Sequence, residues 1–239
     1  THFPIRFCYS LNGCKMKGKD HLPRGLRRCL AEFLIRSSES LETSSIVKYT
    51  SLPFFLDRFL TAVPRSEMSH WLLKPLSKSN LELFALVSIW LASKVHDTSP
   101  IQVKKLKKLG DSCIEEQHFT IRDFLDETLF LQVINYEVGA RRMPFVFLEN
   151  LFLGFKDVAK AGELVNFEVS LDILDLLYGI EGPLLNSPYC IAAAVLVATF
   201  VITVPEQKWG FPILQWVSCR DRDRIAQMTK QILELIFEN

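Results

Sequence analysis

The sequence lacks the motifs that mark most enzymes. None of the patterns GxxxxGK[ST], GxGxxG, HExxH or GxSxG occurs in its 239 residues. Its five histidines show no metal-ligand spacing. Asp172 and Asp175 stand three residues apart on one predicted helix, but no second acidic cluster faces them, so a solvated helix face is expected. We therefore expect no catalytic residues, no metal and no cofactor.

The chain also lacks an excess of charge of one sign and a long hydrophobic run. Lys and Arg number 28 against 27 Asp and Glu, whereas nucleic-acid binders usually show a basic excess, so no nucleic-acid partner is expected. The apolar run Ile191–Val204 falls short of the roughly 20 residues that a membrane span needs. It predicts a buried core helix and no membrane partner. A basic run, residues 104–108, is interpreted as the wet side of an amphipathic helix rather than a nuclear signal.

The six cysteines are scattered and form no CxxC pair. This pattern favours reduced thiols in an intracellular protein, nuclear or cytoplasmic or both. A zinc site built from Cys8, Cys14, His21 and Cys29 would need irregular spacing and is not favoured. No signal peptide is visible. Residues 1–23 are expected to form a flexible N-terminal extension, with the natural start suspected at Met16.

Helical periodicity dominates what is present. Apolar residues recur at spacings of three and four, which predicts helices over about residues 24–37, 46–62, 81–95, 99–109, 116–135, 143–155, 163–178 and 221–237. Pro53 predicts a kink, or a helix start near Ser51. Ser99-Pro100 and Gly110 predict the start and end of the fourth helix.

Two predicted helices have no polar face: residues 81–95 and the helix opened by Ser187-Pro188. A helix of that kind lies at the centre of a bundle. Each half of the chain therefore has amphipathic helices around one central helix. An all-α protein follows, with domains at 24–139 and 140–239 joined near residues 139–142.

Four segments of the first half, in order, resemble the cyclin box. LRRCLAEFL (26–34) is similar to MRxxLxDWL, FFLDRFL (54–60) to YxDRFL, and LELFALVSIWLASK (81–94) to LQLxGxxxxxxASK. Glu127 and the LFLQVINYEVG that follows resemble the end of the fifth cyclin helix. The pattern is most similar to the short plant J-type cyclins. In the second half the best match to the C-terminal cyclin fold is SPYCIAAAVLVATF.

The resemblance implies a fold and a function. The fold would be two tandem five-helix cyclin-fold domains. The function would be that of a regulatory subunit without turnover of its own, which binds and activates a cyclin-dependent serine/threonine kinase in cell-cycle control. Kinase substrates are further implied partners. The kinase-binding positions implied by the motifs are Lys94, Glu127, Leu131 and Tyr136. Core packing is the alternative for Tyr136.

The first helix carries two further implied roles. Arg27 and Asp57 match a buried ion pair that ties the first two helices together. Leu26, Leu30 and Phe33 match a substrate-docking groove, but two of the three residue types differ from that motif, so core packing is favoured there.

The sequence also departs from the mitotic cyclins. Val95, His96 and Asp97 follow ASK where two acids are common, the connection before residue 81 is longer, and no destruction box precedes the cyclin box. Ordinary mitotic oscillation is therefore not expected. Two alternatives stay open, a cyclin-fold scaffold and a transcription-associated protein, each without kinase activation.

Overall fold

A computed structural model describes most of the chain. The described residues are 25–65, 69–138, 143–158, 165–180, 187–204 and 219–237. They form helices and connections without a strand, which confirms the all-α class. The chain divides into two compact units, and the division falls between Ala140 and Arg141 in the sequence. The predictions for residues 1–24, with Met16, and for the joint at 139–142 lie outside the described residues.

The N-terminal unit is built around one buried helix. Its elements are α1 (Leu26–Ser40), α2 (Ser45–Leu52), a π-helical segment (Pro53–Phe59), α3 (Leu60–Ala62), a 3₁₀ turn (Val63–Arg65), α4 (Lys78–His96), α5 (Val103–Cys113), α6 (Ile121–Phe124) and α7 (Glu127–Val133). Every residue of α4 from Ser79 to Ser93 is buried. The helices α1, α2, α5, α6 and α7 pack around it. The absence of a polar face on α4 is thus explained by neighbours on all sides.

Pro53 neither starts nor breaks the second predicted helix. The backbone stays helical from Ser45 to Ala62, but it widens to π geometry over Pro53–Phe59. Proline lacks an N–H and its ring collides with the carbonyl four residues earlier in an α-helix. A wider turn accommodates both effects and brings Phe54, Phe55 and Phe59 into the core.

The prediction for the fourth helix was wrong at both ends. α5 begins at Val103 rather than at Ser99-Pro100, and it runs through Gly110 to Cys113. Gly110 is buried, and a Cβ there would lie 2.7 Å from Cζ of Phe124. The glycine therefore allows α5 to approach α6 closely, rather than ending the helix.

The fifth predicted helix, 116–135, is divided. It begins at a capping box, in which the Asp123 carboxylate accepts hydrogen bonds from the backbone N–H and the hydroxyl of Thr120. Its first piece, α6, ends after one turn at Phe124, and α7 starts at Glu127. Glu127 is therefore the first residue of a helix, not a residue within one.

The C-terminal unit has the same plan. Its described helices are α8 (Pro144–Val158), α9 (Phe167–Tyr178), α10 (Pro188–Thr203) and α11 (Cys219–Phe237). Helix α10, with Pro188 in its first turn as predicted, packs against the other three and is buried from Cys190 to Leu196. Among the described helices, none combines the length and hydropathy that a membrane crossing requires.

Candidate protein-binding site

Lys94 is the point at which the central helix reaches solvent. Helix α4 is buried up to Ser93, whose hydroxyl donates to the carbonyl of Trp90 and accepts from the backbone N–H of Ile101. Lys94 and Val95 follow at once and are exposed. The site thus begins where a rigid core element emerges at the surface.

Glu127 meets Lys94 from the start of α7. Oε2 of Glu127 lies 2.6 Å from Nζ of Lys94, and their side chains are 27% and 35% exposed. An acid in the first turn of a helix is favoured by the positive end of the helix dipole. The ion pair therefore connects the end of α4 to the beginning of α7, across 33 positions of sequence.

Trp90 is a second partner of Lys94. The Lys94 ammonium lies 3.7 Å from the centre of the Trp90 ring, one helical turn earlier on α4. Trp90 itself is only 6% exposed. A buried indole face that attracts the cation, together with the Glu127 carboxylate, restricts the rotamers of a side chain that is otherwise mobile. Sequence reasoning missed this contact, although the i, i+4 spacing was visible.

Leu131 and Tyr136 lie further along the same segment. Leu131, half-buried, is four residues after Glu127, so the two share one face of α7. After α7 ends, two residues have left-handed backbone, Asn135 (φ 52°) and Tyr136 (φ 55°), and the N–H of Tyr136 donates to the carbonyl of Leu131. Tyr136 is 58% exposed. Core packing, the alternative for Tyr136, is therefore wrong.

Arg27 and Asp57 are in contact but are not a buried pair. Nη2 of Arg27 lies 2.6 Å from Oδ1 of Asp57, and Nη1 donates to the carbonyl of Leu56 at 2.9 Å. The contacts tie α1 to the π-helical segment. However, the side chains are 17% and 40% exposed. The burial implied by the resemblance is wrong because the carboxylate retains access to water.

The structure also corrects the implied substrate-docking groove. Leu26 and Leu30 are 3% and 2% exposed and belong to the face of α1 that packs on the core. Phe33 is half-buried. With two of its three residues inside the core, this set offers no open docking face. Core packing, which the sequence favoured for all three, is what the structure has for Leu26 and Leu30.

A buried carboxylate on α4 was not anticipated. Glu82 is 5% exposed and lies 3.5 Å from Lys78. Burial raises the pKa of Glu82, and this effect exceeds the lowering by the Lys78 ammonium. Burial, with a smaller contribution from the Glu82 charge, raises the pKa of the Cys113 thiol to about 11. A thiol with that pKa stays protonated and unreactive at neutral pH. Among the described residues no cluster of three or more potential ligands could hold a metal ion.

Comparison with known proteins gives a consistent result. A family model described as "Cyclin, N-terminal domain" matches residues 8–139. The chain is 43% identical over 224 residues to Cyclin-J18-like of Oryza sativa subsp. japonica, covering 88% of this chain and 86% of the relative. It is 44% identical over 225 residues to Cyclin-J18 of Arabidopsis thaliana, covering 90% and 96%.

Solved structures are similar in fold. A viral cyclin from herpesvirus saimiri has a TM-score of 0.62 at 18% identity, covering 88% of this chain and 85% of the other. A chain in the structure of the CAK complex from Chaetomium thermophilum bound to ATP-γ-S has a TM-score of 0.57 at 14% identity, covering 91% and 66%. At such identities the likeness shows the fold alone.

Proposed function

We propose that this chain, which belongs to the cyclin family and to its plant J-type members, binds a cyclin-dependent serine/threonine protein kinase and activates it in cell-cycle control. The resemblance read from the sequence and the two-domain cyclin fold are confirmed. The family is one of regulatory, non-catalytic subunits. The observation that carries the proposal is the Lys94–Glu127 pair at the exposed end of the core helix.

The pair retains unused hydrogen-bonding capacity. A lysine ammonium has three donors and a carboxylate has about four acceptor sites, so one mutual bond leaves most of them available. Both side chains are about one third exposed or slightly less. Lys94 can donate to carbonyl groups of a partner backbone while Glu127 accepts from its N–H groups. A kinase segment laid across the pair would satisfy both ends.

The surroundings reduce the cost of that binding. A free lysine loses rotamer freedom when a partner immobilises it, which costs roughly 0.5 to 1.5 kcal/mol of binding free energy per side chain. Trp90 and Glu127 already hold the Lys94 ammonium at 3.7 Å and 2.6 Å. Part of the ordering is therefore present before a partner arrives, which favours affinity.

Activation would follow from preference for one kinase conformation. A protein kinase is active when its αC helix brings a glutamate to the catalytic lysine. A rigid bundle that binds only this state shifts the population toward it, by no more than the difference between its affinities for the two states. The tightly packed α4, α7 and their neighbours provide the rigid surface that this mechanism needs.

Affinity capture from extract tests the proposal. Wild type would be compared with Lys94→Ala/Glu127→Ala, with captured kinases identified and assayed for phosphate transfer. Charge-assisted hydrogen bonds contribute about 1.5 to 3 kcal/mol each, so we expect the variant to bind at least about 100-fold more weakly. Lys107→Ala/Asp111→Ala is the matched control, because it removes an ion pair of the same 2.6 Å length from α5.

The outcomes separate the alternatives. An active kinase captured by wild type and control, but not by the Lys94/Glu127 variant, supports the proposal. Equal capture by all three proteins would mean that the interface is elsewhere. Capture of no kinase would favour the scaffold or the transcription-associated alternative. Kinase activity in the purified chain alone would overturn the regulatory assignment.

A further inference from the structure

The connection before α4 presents one large apolar side chain to solvent. Trp71 is 51% exposed, whereas the next two residues, Leu72 and Leu73, are 0% and 4% exposed. The backbone N–H groups of Leu73 and Lys74 both donate to the carbonyl of His70 at 2.9 Å. The two buried leucines and this turn hold the backbone in place. The tryptophan is therefore presented by an anchored turn, and burial of its large apolar surface is left to something else.

His70 ties this turn to the candidate site. Its Nδ1 accepts from the N–H of Leu72 at 3.3 Å, and its Nε2 lies 3.5 Å from Oδ2 of Asp126. Asp126 is the residue before Glu127, at the start of α7. The Trp71 ring lies 6.3 Å from the His70 ring, measured between centroids. The indole is therefore placed in the neighbourhood of the first residues of α7.

A second exposed apolar side chain stands next to Asp126 in the sequence. Leu125 is 50% exposed and directly precedes Asp126. We call these two residues the Trp71–Leu125 patch. A stable interface buries about 800 Å² and 20 to 30 residues on each partner. A partner seated on Glu127 therefore extends well beyond the ion pair, and residues only two positions earlier fall within its reach.

The chemistry of the two regions is complementary. The Lys94–Glu127 ion pair can bind any partner segment that offers hydrogen-bonding groups, so by itself it gives different kinases similar affinities. An apolar patch binds side chains of matching shape and rejects polar ones, and tryptophan is enriched among residues that dominate binding energy. Discrimination between partners therefore falls to the patch.

We propose that the Trp71–Leu125 patch is a second contact for the kinase bound at Lys94–Glu127, and that it determines which kinase is preferred. This proposal rests on the proposed function. The partner is expected to carry an apolar side chain next to the segment that meets Glu127. Trp71 follows His70 and Leu125 precedes Asp126, and the His70 and Asp126 side chains lie 3.5 Å apart directly before Glu127, which is why the same partner is assigned to the patch and to the candidate site.

Binding to a panel of purified cyclin-dependent kinases tests the proposal with the full chain. We expect Trp71→Ala to weaken binding of the tightest kinase by about 10-fold or more, and of weaker ones by less, so that the range of affinities narrows. Trp71→Phe should recover part of the loss, and Leu125→Ala should act in the same direction. Phe237→Ala is the control, because it removes an exposed aromatic side chain, 70% accessible, from the other unit.

The Lys94→Ala/Glu127→Ala variant distinguishes the two proposals. If it loses binding while Trp71→Ala and Leu125→Ala bind every kinase as wild type does, the patch has no part in recognition, although the proposed function stands. If wild type binds no kinase, the proposed function fails and this inference fails with it. Self-association of wild type that Trp71→Ala abolishes would assign the patch to a second copy, contrary to the proposal. Should Trp71→Ala fail to fold, Trp71→Phe and Leu125→Ala still decide the question.

Discussion

The Arg27–Asp57 ion pair allows a quantitative test of how burial controls the strength of a salt bridge. Breaking a fully buried pair costs about 3 to 5 kcal/mol, because it leaves a charge without solvent or partner. A fully exposed pair contributes about 0.2 to 1 kcal/mol. With Arg27 at 17% and Asp57 at 40% exposure, the pair lies between these limits. The two cases predict clearly different results for the same substitution.

The expected magnitude follows from what remains after Asp57→Ala. Arg27 keeps its hydrogen bond to the carbonyl of Leu56 at 2.9 Å, so the guanidinium does not become isolated. Its Nε is buried without a hydrogen-bond partner, so water does not fully compensate for the lost carboxylate. The Arg27–Asp57 contact is one charge-assisted bond in a partly solvated site, so we expect it to contribute about 1 to 2 kcal/mol to the free energy of unfolding.

A double-mutant cycle with Asp57→Ala, Arg27→Met and the double variant measures the pair itself. Because the chain has two units, a single unfolding transition is not assumed. Amide hydrogen exchange in α1 and α4 reports the free energy of opening of the N-terminal unit alone. The exposed pair Lys107–Asp111, at 28% and 42%, is the control, with an expected coupling of about 0.3 to 0.5 kcal/mol.

Two results would refute this reasoning. A coupling energy of about 3 kcal/mol or more would show that the pair is buried in solution, as the resemblance implied. A coupling energy equal to that of the control would show that the Arg27–Asp57 contact contributes no more than an ordinary surface pair.

Three further predictions concern single positions. Gly110→Ala should destabilise the N-terminal unit by about 1 to 2 kcal/mol, measured by amide hydrogen exchange in α4 and α5, because the new Cβ would lie 2.7 Å from Cζ of the buried Phe124. This loss exceeds the gain in helix propensity, and unchanged stability would contradict the close approach. Glu82→Gln should raise the free energy of unfolding at neutral pH, because the pKa of Glu82 is raised by folding and the wild type loses stability as pH rises through that raised pKa. The difference between variant and wild type should vanish below the ordinary pKa of 4.5. A difference that does not depend on pH would contradict this reasoning. Trp90→Leu should weaken kinase binding by about 2- to 30-fold through loss of the cation–π contact, but have no effect in a Lys94→Met background; an equal loss in both backgrounds would indicate a purely structural role.

Much of the fold is predictable because helices are local. The 3.6-residue period depends only on neighbours along the chain, so it was readable for nearly every long helix. The absence of a polar face on α4 and α10 identified the two central helices before their packing partners were known. Ordered motifs similarly singled out Lys94 and Glu127, 33 positions apart, although their kinase-binding role stays a prediction.

Exposure and close approach were decided by tertiary structure alone. The sequence indicates that Gly110 ends a helix, but the structure shows that Phe124 of α6 occupies the space that a Cβ at this position would need. The sequence is equally compatible with a buried Tyr136, but the structure places this residue in a left-handed turn with its side chain exposed to solvent. The burial of Glu82 and the solvent access of Asp57 are likewise invisible in the residues themselves.

The sequence by itself determined the helical class, the two central helices and the residue types at the candidate site. The tertiary structure decided how exposed each charged side chain is, that Gly110 allows two helices to approach closely, and that Trp71 and Leu125 are exposed to solvent. The physical reason is that periodicity and capping are properties of a few consecutive residues. Desolvation and steric contact depend instead on elements that are distant in the chain and become neighbours only on folding.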